Sequence, residues 1–221
     1  MKKIENGLLI ILEGGEGVGK TTQAKALVNH YTSQGYSAKY FREPGGNKLA
    51  EDIRNMILYN EMDSVTETLL FTAARSINIK ENILPALQNG DIVILDRFVK
   101  STIVYQGIFK NGDIDFINTC IEKVTKELFD CDGYSIEFTL LCEPEVAMER
   151  AAAEGHERNK NDILPIEDYK KINDGYKDLY NKSNYGIGCE IDTTHLTQED
   201  VFIKLTKCIE TILKGCGIYE E

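Results

Sequence analysis

The stretch LEGGEGVGKTTQ, Leu12 to Gln23, decides the fold. It follows the apolar run LLII and carries four glycines, one lysine and two threonines. The spacing Gly14-xxxx-Gly19-Lys20-Thr21 is that of a phosphate loop. Glycines let the backbone curl, so that the N–H groups of Gly14, Gly15, Glu16, Gly17, Val18 and Gly19 turn toward phosphate oxygens. A helix opening near Lys20, Thr21 and Thr22 adds its positive end. Lys20 is expected to reach the β and γ phosphates, and Thr21 can ligate Mg2+. The stretch announces a nucleoside triphosphate. It does not choose between a kinase, a GTPase and a motor, and it leaves Glu16 unexplained in a loop built for anions.

Outward from the loop, short apolar runs recur. LLIIL (Leu8–Leu12), SAKYF (Ser37–Phe41), DIVIL (Asp91–Leu95), IEFTLL (Ile136–Leu141) and GIGCEI (Gly186–Ile191) read as strands. LLIIL and DIVIL are apolar at every or nearly every position, as in a parallel sheet covered on both faces. Helical stripes lie between them: Ala24, Leu27, Val28 and Tyr31; Leu49, Ile53, Met56 and Ile57; Leu69, Leu70, Ala73, Ala74 and Ile77; Ile114, Ile117, Ile121, Val124 and Leu128; Val201, Leu205, Cys208, Ile209 and Ile212. Ser64-x-x-Glu67 and Thr197-x-x-Asp200 are read as capping boxes opening two of these helices. The alternation predicts an α/β fold, a central parallel sheet of about five strands flanked by helices. The chain is read as one domain over residues 1–221, with a lid over about 145–165 where the polar stretch AAAEGHERNKNDILP breaks the pattern.

Bulk properties narrow the function. A chain of 221 residues is enough for one good core. A net charge of −11 argues against broad binding to nucleic acid or to a membrane surface, since both need a basic face. A small phosphorylated ligand stays compatible, because a few arginines make a local positive pocket. Cys120, Cys131, Cys142, Cys189, Cys208 and Cys216 contain no CxxC pair, and they read as thiols in a reducing compartment. The N-terminal apolar run is too short for a membrane helix and no small-residue cleavage site follows it, so the expectation is a cytoplasmic protein.

The polar residues at strand ends carry the rest. Asp96, at the tip of DIVILD, stands where phosphate-loop proteins put the acid that holds Mg2+ directly or through water. FREPGG, LLFTAAR and DRFVKSTIVYQG follow strands or run on a helix whose ends converge on one crevice in an open α/β sheet. Arg42, Arg54, Arg75 and Arg97 could then surround a second anionic ligand, and Phe71, one turn before Arg75, could stack on a base.

With these segments in view, the chain resembles the thymidylate kinases of bacterial type. The likeness rests on LEGGEGVGKTTQ, FREPGG, LAEDIRNMIL, LLFTAARS, DRFVKSTIVYQG, YKKINDGYKDLY and IDTT, which together span nearly the whole chain. The resemblance implies a phosphate-loop kinase fold and the reaction ATP + dTMP giving ADP + dTDP, with Mg2+, in a homodimer. It implies that Glu16 lies near the deoxyribose 3′-hydroxyl and the acceptor phosphate, and that Glu43 lies at the acceptor side. It implies further that Phe71 would stack on thymine and Arg75 bond the base edge, that Arg97 would hold the acceptor phosphate, helped by Arg54, and that Ser101, Tyr105 and Gln106 would line base and sugar, with the tyrosine ring crowding a ribose 2′-hydroxyl.

The chain departs from that pattern in its lid. Gly17 stands where one type in the family has a catalytic arginine, so the lid is expected to supply it. MERAAAEGHERNKND offers Arg150, Arg158 and Lys160, with Ala152 and Glu154 at places expected to be basic and Glu157-Arg158 in place of Asp-Arg. Arg158 is either the transition-state arginine or a solvated charge, and Arg150 faces either ATP or solvent. Ala74, Asn78 and Phe98 stand where a polar residue, a histidine and a tyrosine are usual. Two alternatives follow: a deoxynucleoside monophosphate kinase with shifted base preference, or a weakened nucleotide-binding homologue. A phosphate-loop hydrolase would leave the acceptor-side arginines without a task.

Overall fold

A computed structural model describes residues 1–130, 133–153, 164–180 and 186–217. Strand β1 (Leu8–Glu13) runs into the glycine loop and α1 (Lys20–Ser33). Strand β2 (Ala38–Arg42) leads to α2 (Lys48–Tyr59) and α3 (Ser64–Asn78), which widens through a π-wound turn, Ile79–Ile83, into α4 (Leu84–Gln88). Strand β3 (Ile92–Asp96) feeds the short α5 (Val99–Thr102), a second π-wound stretch, Ile103–Phe109, and α6 (Ile114–Phe129). Then come β4 (Tyr134–Leu141), α7 (Pro144–Ala153), α8 (Ile166–Tyr180), β5 (Ile187–Asp192) and α9 (Gln198–Gly215). The five strands form one wholly parallel sheet in the order β2-β3-β1-β4-β5. The parallel α/β sheet read from the alternation is therefore the one observed, with strand ends shifted by a residue or two, and it is the phosphate-loop kinase architecture that the resemblance implies.

Alternation along the inner strands builds two cores. Leu8, Ile10 and Leu12 of β1 and Ile92 and Ile94 of β3 pack with Leu27 of α1 and Leu205 and Ile209 of α9. Leu9, Ile11, Val93 and Leu95 point the other way, onto Ile83, Val99, Ile117 and Ile121. Each fully buried Leu or Ile contributes roughly 1.5–3 kcal/mol of transfer free energy, so continuous apolar runs are stable only as inner strands covered on both sides.

This two-sided packing places the site. The chain leaves β1 toward α1 on one face and leaves the neighbouring β3 toward α5 on the other. A crevice opens at the carboxyl ends between two such strands, the topological switch point of the sheet. At those ends stand Glu13, Asp96 and Arg42: Leu12 and Arg42 lie opposite Asp96, and Glu13, one residue further on, lies opposite Thr139.

Two local expectations are corrected. Helix α3 is capped by Asp63, whose carboxylate accepts from Thr66 N at 2.9 Å and Thr66 Oγ1 at 2.8 Å, and not by Ser64. Glu67 turns inward instead, because buried cationic and amide donors await it there. On α2 and α3 only Ile53, Ile57 and Ala74 of the two predicted stripes are buried, while Leu49, Met56, Leu69 and Ala73 face outward. The two helices pack chiefly on one another, and that contact is narrower than the sequence stripe. Thr197 and Asp200 do form the capping box of α9.

Candidate active site

The phosphate loop is held close to its surroundings. A Cβ at Gly14, where φ is +146°, would lie 2.3 Å from the Leu140 carbonyl oxygen. One at Gly17, where φ is +73°, would lie 2.0 Å from that of Ala147. So Gly17 does more than omit an arginine: α7 packs too tightly there to admit any side chain. Helix α1 begins at Lys20 with Gly19 as its left-handed cap. The Lys20 ammonium donates to Gly15 O at 2.5 Å. Burial, reinforced by the Arg97 charge, pushes Lys20 down to about 8, against the attraction of Glu16, Asp96 and Glu13. Thr21 Oγ1 donates to Asp96 Oδ2 at 2.5 Å, and Tyr40 OH donates to the same oxygen at 3.2 Å.

Arg97 joins the loop to the next cavity. Its backbone sits at φ +70°, a conformation a non-glycine residue keeps only when its neighbours over-determine it. Nη1 donates to Gly14 O at 2.9 Å, Ser101 Oγ at 3.1 Å and Tyr176 OH at 3.2 Å, and Nη2 pairs with Glu16 Oε1 at 2.6 Å. The guanidinium also lies over the Tyr105 ring, 5.2 Å from its centre. Burial alone would raise the Glu16 carboxyl, but Arg97, Lys20 and Arg54 outweigh it and hold it below the usual carboxylate value. Glu16 is thus the counter-charge of Arg97.

Beside the loop lies a cleft of about 720 Å³. Glu16, Glu43, Arg54, Phe71 and Arg75 line it together with Arg97, Ser101, Tyr105 and Gln106, so every acceptor residue that the family resemblance implies is brought to one cavity. Arg54 donates to Pro44 O at 3.1 Å, and burial, with Arg42 adding like charge, lowers its guanidinium. Arg75 is buried: Nε pairs with Glu43 Oε2 at 2.6 Å, and Nη2 donates to Phe98 O and Thr102 Oγ1, each at 2.9 Å, leaving Nη1 without a partner. Burial pushes Glu43 up, against its ion pair with Arg75. Arg42 is not part of the set. It forms a two-pronged bond with Glu51 on the exposed side.

The lid arginines part company. Arg150, on α7, donates to Thr193 O at 3.1 Å, Thr194 O at 3.0 Å and Thr193 Oγ1 at 3.3 Å, which fastens it to the loop after β5. Arg158, with Glu154, Glu157 and Lys160, lies outside the described residues.

Sequence reasoning missed the residue beneath this assembly. Glu13, fully buried at the end of β1, accepts from Phe98 N at 2.9 Å, Ser101 N at 3.1 Å and Ser101 Oγ at 2.6 Å. Its signal was present: an acid ending an apolar strand, the same mark that picked out Asp96. Tyr176 had no such signal, since only the packing of α8 brings its hydroxyl to Ser101 at 2.8 Å and to Arg97.

A triphosphate cradle and an arginine-lined cleft that share Arg97 ask for two anions side by side, and that pairing on this sheet defines a phosphate-loop kinase. Within that class the particular family is also evident. Residues 12–208 match the family model described as thymidylate kinase, and the chain belongs to that family. A thymidylate kinase of Caldicellulosiruptor saccharolyticus is 34% identical over 213 residues, covering 94% of this chain and 98% of that protein. One of Rickettsia africae is 36% identical over 182 residues, covering 82% and 87%. The crystal structure of thymidylate kinase from Ehrlichia chaffeensis superposes with a TM-score of 0.70 at 30% identity, covering 92% of this chain and 98% of that one.

Proposed function

We propose that this chain transfers the γ-phosphoryl group of ATP to dTMP, giving dTDP for dTTP synthesis. The observation that carries the reading is Arg97, which bonds the phosphate loop at Gly14 and walls the neighbouring cleft at Tyr105 and Ser101. In phosphoryl transfer between two nucleotides the barrier is largely like-charge repulsion and misalignment. Lys20 takes the donor phosphates; Arg97 and Arg54 take the acceptor phosphate, in line with them. Glu16 balances Arg97 and accepts from the sugar hydroxyl. Phe71 stacks on the base, Arg75 reads its edge, and Ser101, Tyr105 and Gln106 close the sugar and base walls.

The hard oxygens of Thr21 and Asp96, adjacent at the loop–β3 junction, fit Mg2+, an ion that takes most of its ligands from phosphate and water. When bound, Mg2+ would neutralise charge on the donor phosphates. In this reading the chain acts as one domain with residues about 145–165 as its lid. Arg158 acts on the transition state, and Arg150, fastened to Thr193 and Thr194, shapes the donor side. Kinship with the family supports a homodimer at work in the cytoplasm. Five thiols, Cys120, Cys142, Cys189, Cys208 and Cys216, are free, and among the described residues no helix is long and apolar enough to cross a membrane.

The test is an acceptor survey with purified protein and ATP, comparing dTMP, dUMP, dCMP and dGMP. The expected result is fastest turnover of dTMP; faster turnover of a purine nucleotide would overturn the base assignment.

A further inference from the structure

Glu67 was read as half of a capping box, and the structure frees it from that task. Asp63 caps α3, and Glu67, 1% exposed, reaches into the base end of the acceptor cleft. Its carboxylate accepts from Gln106 Nε2 at 2.9 Å and from Lys110 Nζ at 2.7 Å. Gln106 sits in the π-wound stretch Ile103–Phe109, is 3% exposed, and lines the same cleft as Phe71 and Arg75. Its Oε1 is buried without a partner, and so is Arg75 Nη1.

A carboxylate accepts hydrogen bonds and gives none, whereas a glutamine amide has one accepting end and one donating end. Reversing the Gln106 amide would set Oε1 against a carboxylate oxygen and leave a buried charge short of a donor. The orientation is therefore fixed by chemistry, and Lys110 balances the charge that fixes it.

We infer that Glu67 is a positioning residue for base choice: by holding Gln106 Nε2 it commits Gln106 Oε1 to accept from the ligand's base. This rests on the proposed acceptor being a pyrimidine nucleotide. A ring N–H beside a carbonyl, the edge of thymine or uracil, meets an acceptor in Gln106 and a donor in Arg75. Cytosine presents a bare ring nitrogen beside an amino group, which sets lone pair against lone pair at Gln106 and donor against donor at Arg75. Guanine carries the same N–H and carbonyl pair as thymine, so this arrangement separates thymine from cytosine and leaves purines to be excluded by size.

The experiment measures kcat/KM for dTMP and for dCMP, at fixed ATP, in wild type, Glu67→Gln and the double variant Glu67→Gln/Gln106→Glu. In Glu67→Gln the new amide keeps its oxygen on Lys110 and turns its NH2 to Gln106, so Gln106 turns its own oxygen inward and presents a donor to the cleft. The dTMP-to-dCMP ratio should fall by about tenfold or more, since a site with a fixed hydrogen-bond partner owes its selectivity to leaving the wrong ligand unpaired. A purely structural lesion would lower both substrates alike. The double variant restores a carboxylate–amide pair with the accepting oxygen toward the cleft, and its ratio should return toward wild type. An unchanged ratio in Glu67→Gln overturns the inference. If that variant does not fold, loss of dTMP preference in the double variant overturns it instead. A wild-type protein with no preference for dTMP over dCMP would sink the acceptor assignment itself, a result distinct from either.

Discussion

Replacing Glu13 by Gln tests whether the anion site is held from below. Oε1 of Glu13 accepts from two backbone N–H groups, Phe98 and Ser101, and Oε2 accepts from the Ser101 hydroxyl. An amide of the same shape keeps the first two bonds through its oxygen. Its NH2 then faces Ser101 Oγ, which already accepts from Arg97 Nη1 at 3.1 Å. The short Ser101 bond to a buried carboxylate is lost, at a cost of roughly 1.5–3 kcal/mol, and the long 3.5 Å bond from Tyr176 OH to the same oxygen goes with it. With a urea m-value of about 1–3 kcal/mol/M, a loss of about 2 kcal/mol lowers the midpoint by about 0.7–2 M. The second consequence is functional. Arg97 keeps its φ of +70° only while Ser101, Tyr176, Gly14 and Glu16 hold it, and the new donor competes for one of those partners. Weakening by about 1.4 kcal/mol would lower kcat/KM for dTMP about tenfold. Urea unfolding and a coupled ADP-release assay at saturating ATP measure the two effects. A variant with the wild-type midpoint and wild-type kcat/KM would refute the reasoning.

Two further predictions concern the donor side. If Arg158 acts on the transition state, Arg158→Ala should lower kcat by about 10³ or more with little change in dTMP affinity; single-turnover rates and dTMP titration check this, and an effect under about tenfold would move the role to another residue. Lys20 titrates near 8 in the nucleotide-free protein, and phosphate binding favours its charged form, so binding above that pH takes up a proton. ATP affinity should therefore be flat below about pH 7 and fall with rising pH through 8, by up to about tenfold per unit. Titration calorimetry in two buffers of different ionisation heat reads both the trend and the proton, and an affinity constant from pH 7 to 9.5 would contradict it.

Much of this was legible in the chain because it is local. A strand apolar on both faces, a glycine run and a lysine opening a helix lie within a few residues of each other, so spacing and periodicity determine them. Family likeness then carried Glu43, Arg54, Phe71, Arg75, Tyr105 and Gln106 to one cleft, where all of them are found. Helix stripes misled at Leu49, Met56 and Leu69, since periodicity says which residues share a face and not how far a neighbouring helix covers it.

What the sequence determined by itself was the loop, the alternation and hence the parallel sheet, since each depends on neighbours along the chain. Tertiary structure decided the rest. It made Gly17 obligatory by bringing the Ala147 carbonyl against it, turned Glu16 into the partner of Arg97, and sent Arg42 away to Glu51. It gave Glu67 to Gln106 and Lys110 in place of a helix end, and it set Glu13 and Tyr176 beneath Arg97 from residues far apart in the chain. A buried charge must find its partner in space, and separation along the chain does not say which one that will be.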